Sequence, residues 1–107
     1  MSEQAYLVLL ALSDQPRHGY GIVQEVLAIS AGDVRLAAGT LYGVLDRLLL
    51  AGLVAEDREE IVDGRLRRYY LLTPEGGSAA SAETARLAAL ARRGRQVLGR
   101  PALGGAG

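Results

Sequence analysis

Three arginines, Arg65, Arg67 and Arg68, follow the dipeptide Asp63-Gly64 in a segment that otherwise has the composition of a strand. Asp-Gly between two strand-like segments is typical of a two-residue hairpin turn, because a type I′ turn needs positive φ at both central residues. Guanidinium groups bind phosphate oxygens through paired hydrogen bonds. The spacing therefore predicts a hairpin whose tip could contact phosphates, with Arg67 and Arg68 on opposite strand faces.

Charge is balanced overall but ordered along the chain, with 12 basic residues against 12 acidic ones. The predicted hairpin arginines are preceded by an acidic stretch made of Glu56, Asp57, Glu59, Glu60 and Asp63. At least one arginine could pair with Glu59 or Glu60 across the hairpin instead of binding a phosphate. A second basic group lies near the C-terminus and consists of Arg86, Arg92, Arg93, Arg95 and Arg100.

Residues for catalysis or metal binding are scarce. His18 is the only histidine, the chain has no cysteine, and it has no lysine that could complete a phosphate-binding loop. Glu59 and Glu60 are adjacent on a predicted strand, so their carboxylates point to opposite faces and do not form a catalytic pair. We expect no enzyme activity, no metal and no cofactor, and we assign His18 a structural role at the start of a helix.

Three short helices are predicted before the hairpin. The first begins at the N-cap Ser2 and ends near Leu12, the second begins near His18 and ends before Gly32, and the third spans 38–51. The apolar run "AYLVLLAL" in the first helix follows Glu3 and is far shorter than the roughly 20 residues of a membrane span. We therefore expect a buried helix in a cytoplasmic protein, with no membrane contact.

The third helix has two distinct sides. Steps of 100° place Leu41, Leu45, Leu48 and Leu49 on one side and Gly39, Gly43, Arg47 and Leu50 on the other, flanked by Thr40 and Asp46. A glycine in mid-helix costs about 1 kcal/mol relative to alanine, so Gly43 requires a reason.

The rest of the chain is predicted as two strands and a long helix. Strands at 53–62 and 65–73 flank the turn, and a helix capped by Thr73 starts at Pro74 and reaches Leu98. Its apolar stripe, too long for the small core to cover, consists of Leu87, Leu90, Ala91, Gly94, Val97 and Leu98. We expect a domain at 1–73, a dimerisation helix at 74–98 and a disordered tail at 99–107.

This order of elements predicts a mostly α fold with a small β-hairpin, namely a winged helix-turn-helix followed by a long C-terminal dimerisation helix. In that architecture the third helix enters the major groove of DNA, and the hairpin lies against a neighbouring groove or the backbone. Each phosphate that an arginine neutralises releases condensed counterions, which favours binding.

Three segments, "HGYGIVQEV" at 18–26, "AAGTLYGVLDRLLLAGLV" at 37–54 and "GRLRRYYLLTPEG" at 64–76, resemble the signatures of the PadR family of transcriptional regulators. The resemblance implies a homodimeric repressor that binds a pseudo-palindromic operator on double-stranded DNA and is often released by a small aromatic effector. With one C-terminal helix, the chain is similar to the short form of that family. It has no Trp or Phe for stacking an effector, and its tyrosines all precede the last helix.

The predicted DNA-binding residues lie on the second helix, the third helix and the hairpin: Tyr20, Ala38, Gly39, Thr40, Tyr42, Gly43, Arg47, Arg65, Arg67, Arg68 and Tyr70. Tyr20 and Tyr42 could instead pack in or near the core, and Arg47 could be a solvated residue paired with Asp46. Either Tyr69 or Tyr70 should pack on the helices, and the resemblance favours Tyr70 near the DNA backbone.

The acidic stretch leaves a different function open. Carboxylates facing DNA would repel its phosphates, so the chain could also be a winged-helix protein-interaction module that does not bind nucleic acid.

Overall fold

The computed structural model describes residues 1–102 and contains four helices and three strands. In chain order these are α1 (Glu3–Ala11), β1 (Arg17–His18), α2 (Gly19–Ile29), α3 (Ala38–Leu50), β2 (Val54–Val62), β3 (Arg65–Leu72) and α4 (Pro74–Leu98). Within residues 1–102, no helix combines the length and the apolarity that crossing a membrane requires.

The core lies where α1, α2 and α3 meet. Ser2 caps α1 by accepting a hydrogen bond from the amide of Ala5, and the side chains of Val8 and Leu9 are fully buried. Ile22 of α2 and Leu45 of α3 are also inaccessible to solvent. These apolar side chains recur on one face of α2 and α3, so burying them fixes which face of α3 remains outside.

The sheet has three strands in the order β1-β3-β2, one more than the predicted hairpin. β1 pairs antiparallel with β3, with Arg17 opposite Tyr70 and His18 opposite Tyr69. Two residues are too few to show strand periodicity, so β1 was not predictable from the pattern. The turn is as expected, since Asp63 and Gly64 both have positive φ, at 50° and 74°.

The wing, which we define as β2, β3 and the turn between them, contains an irregularity. Glu56 lies opposite Tyr70 and Glu59 lies opposite Arg68, so three steps on β2 match two steps on β3. This extra residue is the signature of a β-bulge, which changes the face to which the following side chains point.

The long helix α4 begins where it was predicted to begin and ends at Leu98. Thr73 caps it by accepting a hydrogen bond from the amide of Gly76 at 3.0 Å. Ala80 is buried in the core, and the hydroxyls of Tyr6 and Thr84 lie 2.7 Å apart. The alanine-rich start of α4 therefore packs on its own domain, and residues 99–102 lie outside the helix. The rest of the predicted tail, 103–107, lies outside the described residues.

Candidate nucleic-acid interface

The outer side of α3 is open to solvent. A Cβ added at Gly39 or at Gly43 would meet no atom within 4 Å, so no contact within residues 1–102 requires either glycine. Thr40 and Arg47 are exposed on the same helix, and Arg47 forms no ion pair with Asp46 or with any other residue in 1–102. This side of α3 therefore allows a close approach by another molecule.

The N-terminus of α3 lacks a side-chain cap. Ala37 occupies the N-cap position and accepts no hydrogen bond with its side chain, while Ala38 beside it is exposed. Uncapped amides at a helix start, together with the helix dipole, favour a nearby anion.

A groove of about 440 Å³ separates α2 and α3 from the wing, and we call it the wing groove. It is lined by His18, Gly19, Tyr20, Tyr42, Arg65, Leu66, Arg67 and Arg68. Tyr20 is 66% exposed and Tyr42 is 48% exposed. Five predicted DNA-binding residues from three separate segments thus meet at one surface.

Gly19 sets the position of Tyr42, a role that the sequence did not reveal. A Cβ on Gly19 would lie 2.6 Å from the Tyr42 hydroxyl oxygen, closer than two unbonded heavy atoms can approach. Gly19 is buried at the first turn of α2. The absence of its side chain therefore lets the Tyr42 phenol lie against the start of α2, with the ring still partly exposed in the wing groove.

The three wing arginines differ in their surroundings. Arg65 is exposed and forms no ion pair with residues 1–102, whereas Arg68 lies beside Glu59 and Glu56. The cross-strand pairing of one arginine with Glu59 is therefore confirmed, and the arginine concerned is Arg68.

Arg67 lies beside the sole histidine without being held by it. The amide of Gly21 donates to His18 Nδ1 at 3.2 Å, so neutral His18 carries its proton on Nε2. Arg67 Nη1 lies 3.4 Å from that nitrogen, which places a donor against a donor. Burial, followed by the charge of Arg67, lowers the pKa of His18. The structural role expected for His18 is confirmed, since it caps α2.

Tyr70 conflicts with its predicted contact with the DNA backbone. Its side chain belongs to the core and is only 4% exposed, while Tyr69 on the other face is partly exposed. Tyr70 packs in the same core cluster as buried side chains of α1, α2 and α3, so its ring faces the helices. Burial also raises the pKa of the Tyr70 phenol, which keeps it neutral.

A further arginine, Arg58, already has partners on the face of the wing that carries Tyr69. Its guanidinium lies 4.0 Å from the centre of the Tyr69 ring and forms ion pairs with Asp57 at 3.0 Å and Glu60 at 3.1 Å. Stacking of this kind is favourable for Arg. No sequence pattern predicted that Arg58 and Tyr69 would meet.

The apolar stripe of α4 is uncovered. Leu90 is 53% exposed, Leu98 is 88% exposed, and Leu87, Ala91, Gly94 and Val97 are exposed or partly exposed beside them. Between the stripe and the core, Glu83 accepts two hydrogen bonds from Arg86 at 2.8 Å, and this pairing lowers the pKa of the Glu83 carboxyl.

This arrangement, a helix with an open glycine face beside an arginine-lined wing groove, agrees with comparisons to known proteins. The sequence profile of the Transcriptional regulator PadR-like family matches residues 8–82. The chain belongs to this family. It is a transcriptional regulator and not an enzyme, as the sequence predicted.

Individual known proteins are similar to most of this chain. Transcriptional regulator Rv3488 of Mycobacterium tuberculosis is 38% identical over 92 residues, which cover 86% of this chain and 79% of that protein. A PadR family transcription regulator from Clostridium difficile is 23% identical, with a TM-score of 0.77 over 92% of this chain and 100% of that one.

A second similar structure contains DNA. Bacillus subtilis PadR in complex with operator DNA is 20% identical, with a TM-score of 0.68 over 78% of this chain and 48% of that one. At these identities the structural likeness confirms the predicted fold, a winged helix-turn-helix with a long C-terminal helix.

Proposed function

We propose that this PadR-family regulator is a homodimeric repressor that binds a pseudo-palindromic operator in the cytoplasm. In this proposal α3 enters the major groove, and the wing groove lies against the phosphate backbone beside it. The observation that carries the proposal is the meeting of Tyr20, Tyr42, Arg65 and Arg67 at one surface next to the open face of α3. The operator DNA bound by Bacillus subtilis PadR supports it.

Each residue has a defined part in this complex. Arg65 and Arg67 neutralise phosphates, and the hydroxyls of Thr40 and Tyr42 donate to phosphate oxygens. Arg47 extends from the outer side of α3, where a guanidinium can bind O6 and N7 of guanine. Gly39 and Gly43 allow the helix backbone to approach the DNA closely.

The dimer would form through the stripe on α4. A second copy of the helix would cover Leu90, Val97 and Leu98, each of which is more than half exposed within residues 1–102. Two copies of α3 about one DNA turn, roughly 34 Å, apart would then read two half-sites. Release by a small ligand, which the family resemblance implies, would rely on aliphatic contacts if the ligand lay between the α4 helices.

Removal of the two unpaired wing arginines tests the proposal. The double variant Arg65→Gln and Arg67→Gln should bind duplex DNA more weakly, and each lost phosphate contact should reduce the slope of log K against log salt by about 0.9. Fluorescence anisotropy with a labelled duplex at several salt concentrations measures both quantities.

The control variant carries the same charge change elsewhere. Arg92→Gln with Arg93→Gln removes two exposed arginines of α4, outside the wing, and should leave the slope unchanged. If the wing variant bound duplex DNA as tightly as the wild type at low salt, the wing would have no part in DNA binding.

Gly43→Ala separates stability from binding. The change should stabilise the fold by up to about 1 kcal/mol, because alanine is the better helix former and Cβ meets no neighbour. It should nonetheless weaken DNA binding, since the methyl group holds α3 away from the duplex. A variant that gains stability with unchanged affinity would remove Gly43 from the interface.

The acidic residues of β2 favour a second candidate, a protein-interaction module that does not bind DNA. Glu56, Asp57 and Glu59 are exposed on the wing. Absence of duplex binding by the wild-type protein at low salt would support this candidate against the first.

A further inference from the structure

The β-bulge brings two carboxylates to one face of the wing. Glu56 and Glu59 are three positions apart, so in a regular strand they would point to opposite faces. The bulge places Glu56 opposite Tyr70 and Glu59 opposite Arg68, and these β3 residues are two apart and share a face. We call Glu56 and Glu59 the acidic pair.

Arg68 lies between the two carboxylates. Its Nε is 3.4 Å from Glu59 Oε1, and its Nη1 is 3.8 Å from Glu56 Oε1. The charge of Glu56, followed by that of Glu59, raises the pKa of Arg68. About half of each of the three side chains is exposed, at 49%, 52% and 56% for Arg68, Glu59 and Glu56, so these contacts can open.

The wing therefore contains two kinds of arginine. Arg65 has no carboxylate partner among residues 1–102. Arg67 forms no ion pair there either, but it lies opposite Glu60, whose carboxylate pairs with Arg58, and it faces the Nε2–H of His18. Arg68 and Arg58 are both held by glutamates, one on each face of the bulged strand. A single wing thus presents free guanidinium groups at its tip and paired ones nearer its base.

Pairing changes what an arginine contributes to DNA binding. Sequence-independent binding consists almost entirely of phosphate contacts and counterion release. An arginine already next to carboxylates must separate from them to contact a phosphate, and the carboxylates it leaves then repel the DNA. In a loose complex on random sequence, any free arginine adds affinity, whereas a paired one adds little.

We propose that the acidic pair determines specificity by withholding Arg68 from random-sequence DNA. This inference rests on the proposed DNA-binding function. When α3 is seated in its operator, Arg65 and Arg67 supply the wing's phosphate contacts and Arg68 stays with Glu56 and Glu59. On other DNA the withheld charge lowers affinity, which widens the ratio between operator and random-sequence binding.

Neutralising the acidic pair tests the inference. The wild-type protein is first used to select the duplexes that it binds best from a random pool, and the selected sequence is the specific probe. A duplex of the same base composition in scrambled order is the random-sequence probe. The double variant Glu56→Gln and Glu59→Gln should bind the scrambled duplex about three- to tenfold more tightly, with a salt slope steeper by about 0.9. Its affinity for the enriched sequence should change by less than about twofold, the spread that a screened surface charge produces.

Two further sets of variants isolate the pairing with Arg68. Glu3→Gln with Glu75→Gln makes the same charge change at exposed positions of α1 and α4, and it should leave the ratio unchanged. When Arg68→Gln is already present, adding Glu56→Gln and Glu59→Gln should raise the affinity for the scrambled duplex by much less. A purely structural role for the glutamates would not depend on Arg68 in this way.

The other outcomes overturn the inference. Equal tightening on both probes would show that the acidic pair weakens all DNA binding alike, and unchanged or weaker scrambled-duplex binding would show that Arg68 is not withheld. If the pool enriched no sequence with the wild-type protein, the proposed function would fail and the inference with it.

Discussion

His18 joins three parts of the molecule through one imidazole. It caps α2 through Nδ1, its ring meets the edge of the Tyr69 ring with centroids 5.3 Å apart, and Arg67 approaches its Nε2. Protonation at Nδ1 would remove the acceptor for the Gly21 amide and place a second positive charge beside Arg67. The neutral form is therefore the form that the fold requires.

Stability should consequently decline in mild acid. Burial and Arg67 lower the pKa of His18, with Glu60 opposing them, so the unfolded chain binds a proton more readily than the folded one. The stabilisation is complete above the ordinary histidine pKa of about 6.5 and is lost progressively as the pH falls from there towards the lowered value. His18→Asn should flatten this dependence, because asparagine caps a helix without titrating.

Urea unfolding at about pH 7.5 and about pH 5.5 measures the change in the free energy of unfolding. Both pH values lie above the ordinary pKa values of Asp and Glu, so these carboxyl groups stay ionised at both. Since the chain has one histidine, the part of the loss that His18→Asn removes can be attributed to His18. Glu60 and Glu83, whose pKa values are lowered, lose their stabilisation only in stronger acid. An equal pH dependence in the wild type and His18→Asn would contradict the assignment.

Single residues were predictable where a local rule decides their role. The Asp63-Gly64 turn, the Thr73 cap and the opposite faces of Arg67 and Arg68 follow from backbone conformation and strand alternation. The partners of Arg68 and the position of Tyr42 do not, because they depend on a β-bulge and on contact between α2 and α3. Tyr70 was placed wrongly because its burial depends on which face of the sheet packs on the helices, and strand alternation alone does not decide that.

The junction between the wing and α4 is fixed by several backbone contacts. The Thr73 hydroxyl donates to the carbonyl oxygen of Gly52 at 2.7 Å, and the Thr73 amide donates to the carbonyl oxygen of Leu53 at 3.2 Å. Gly76, in the first turn of α4, packs directly on that same Leu53 carbonyl. The position of α4 relative to the wing therefore depends on the absence of a side chain at Gly76.

Gly76→Ala should destabilise the protein even though alanine is the better helix former. Its Cβ would overlap the Leu53 carbonyl oxygen and crowd a Leu72 methyl group at 2.7 Å, and the backbone of the junction would have to shift. We expect a loss of about 1–3 kcal/mol in the free energy of unfolding, as for other overpacked sites. Chemical denaturation followed by circular dichroism measures this loss.

Gly77→Ala provides a matched control one residue away on the same helix. Its Cβ would meet only a Leu72 methyl group at 3.8 Å, an ordinary contact, so the change should be neutral or stabilising by up to about 1 kcal/mol. If the two variants had equal stability, contact between Gly76 and Leu53 would not determine the junction. The cap at Thr73 was readable from sequence, but the close approach at Gly76 was not, because it involves residues over twenty positions apart.

The whole molecule is elongated because half of α4 extends beyond the core. The radius of gyration is 17.8 Å, whereas a compact domain of this length has about 13 Å, and the longest axis measures 68 Å. The order of the helices and the length of α4 were predictable from periodicity and capping. The core covers only the first part of α4, because the domain formed by α1, α2 and α3 is too small to cover the whole helix.

We expect the exposed half of α4 to join two copies of the protein. Its stripe is apolar, and large apolar patches on soluble proteins mark interaction surfaces. We expect the wild-type protein to sediment as a dimer at micromolar concentration. Leu90→Asp would place a charge in the apolar contact between two α4 helices, so it should raise the dimer dissociation constant at least about tenfold, a cost of about 1.4 kcal/mol or more.

Gln96→Asp adds the same carboxylate on the opposite side of α4 and should leave the dimer intact. Both positions are exposed in one chain, so neither change should unfold the monomer. Sedimentation velocity over a concentration series distinguishes dimer from monomer for all three proteins. Leu90→Asp should also bind an operator more weakly, because only the proposed dimer would contact two half-sites at once. A wild-type protein that remained monomeric at micromolar concentration would contradict the predicted dimer. Equal dissociation of the two variants would show that the stripe is not the contact between copies.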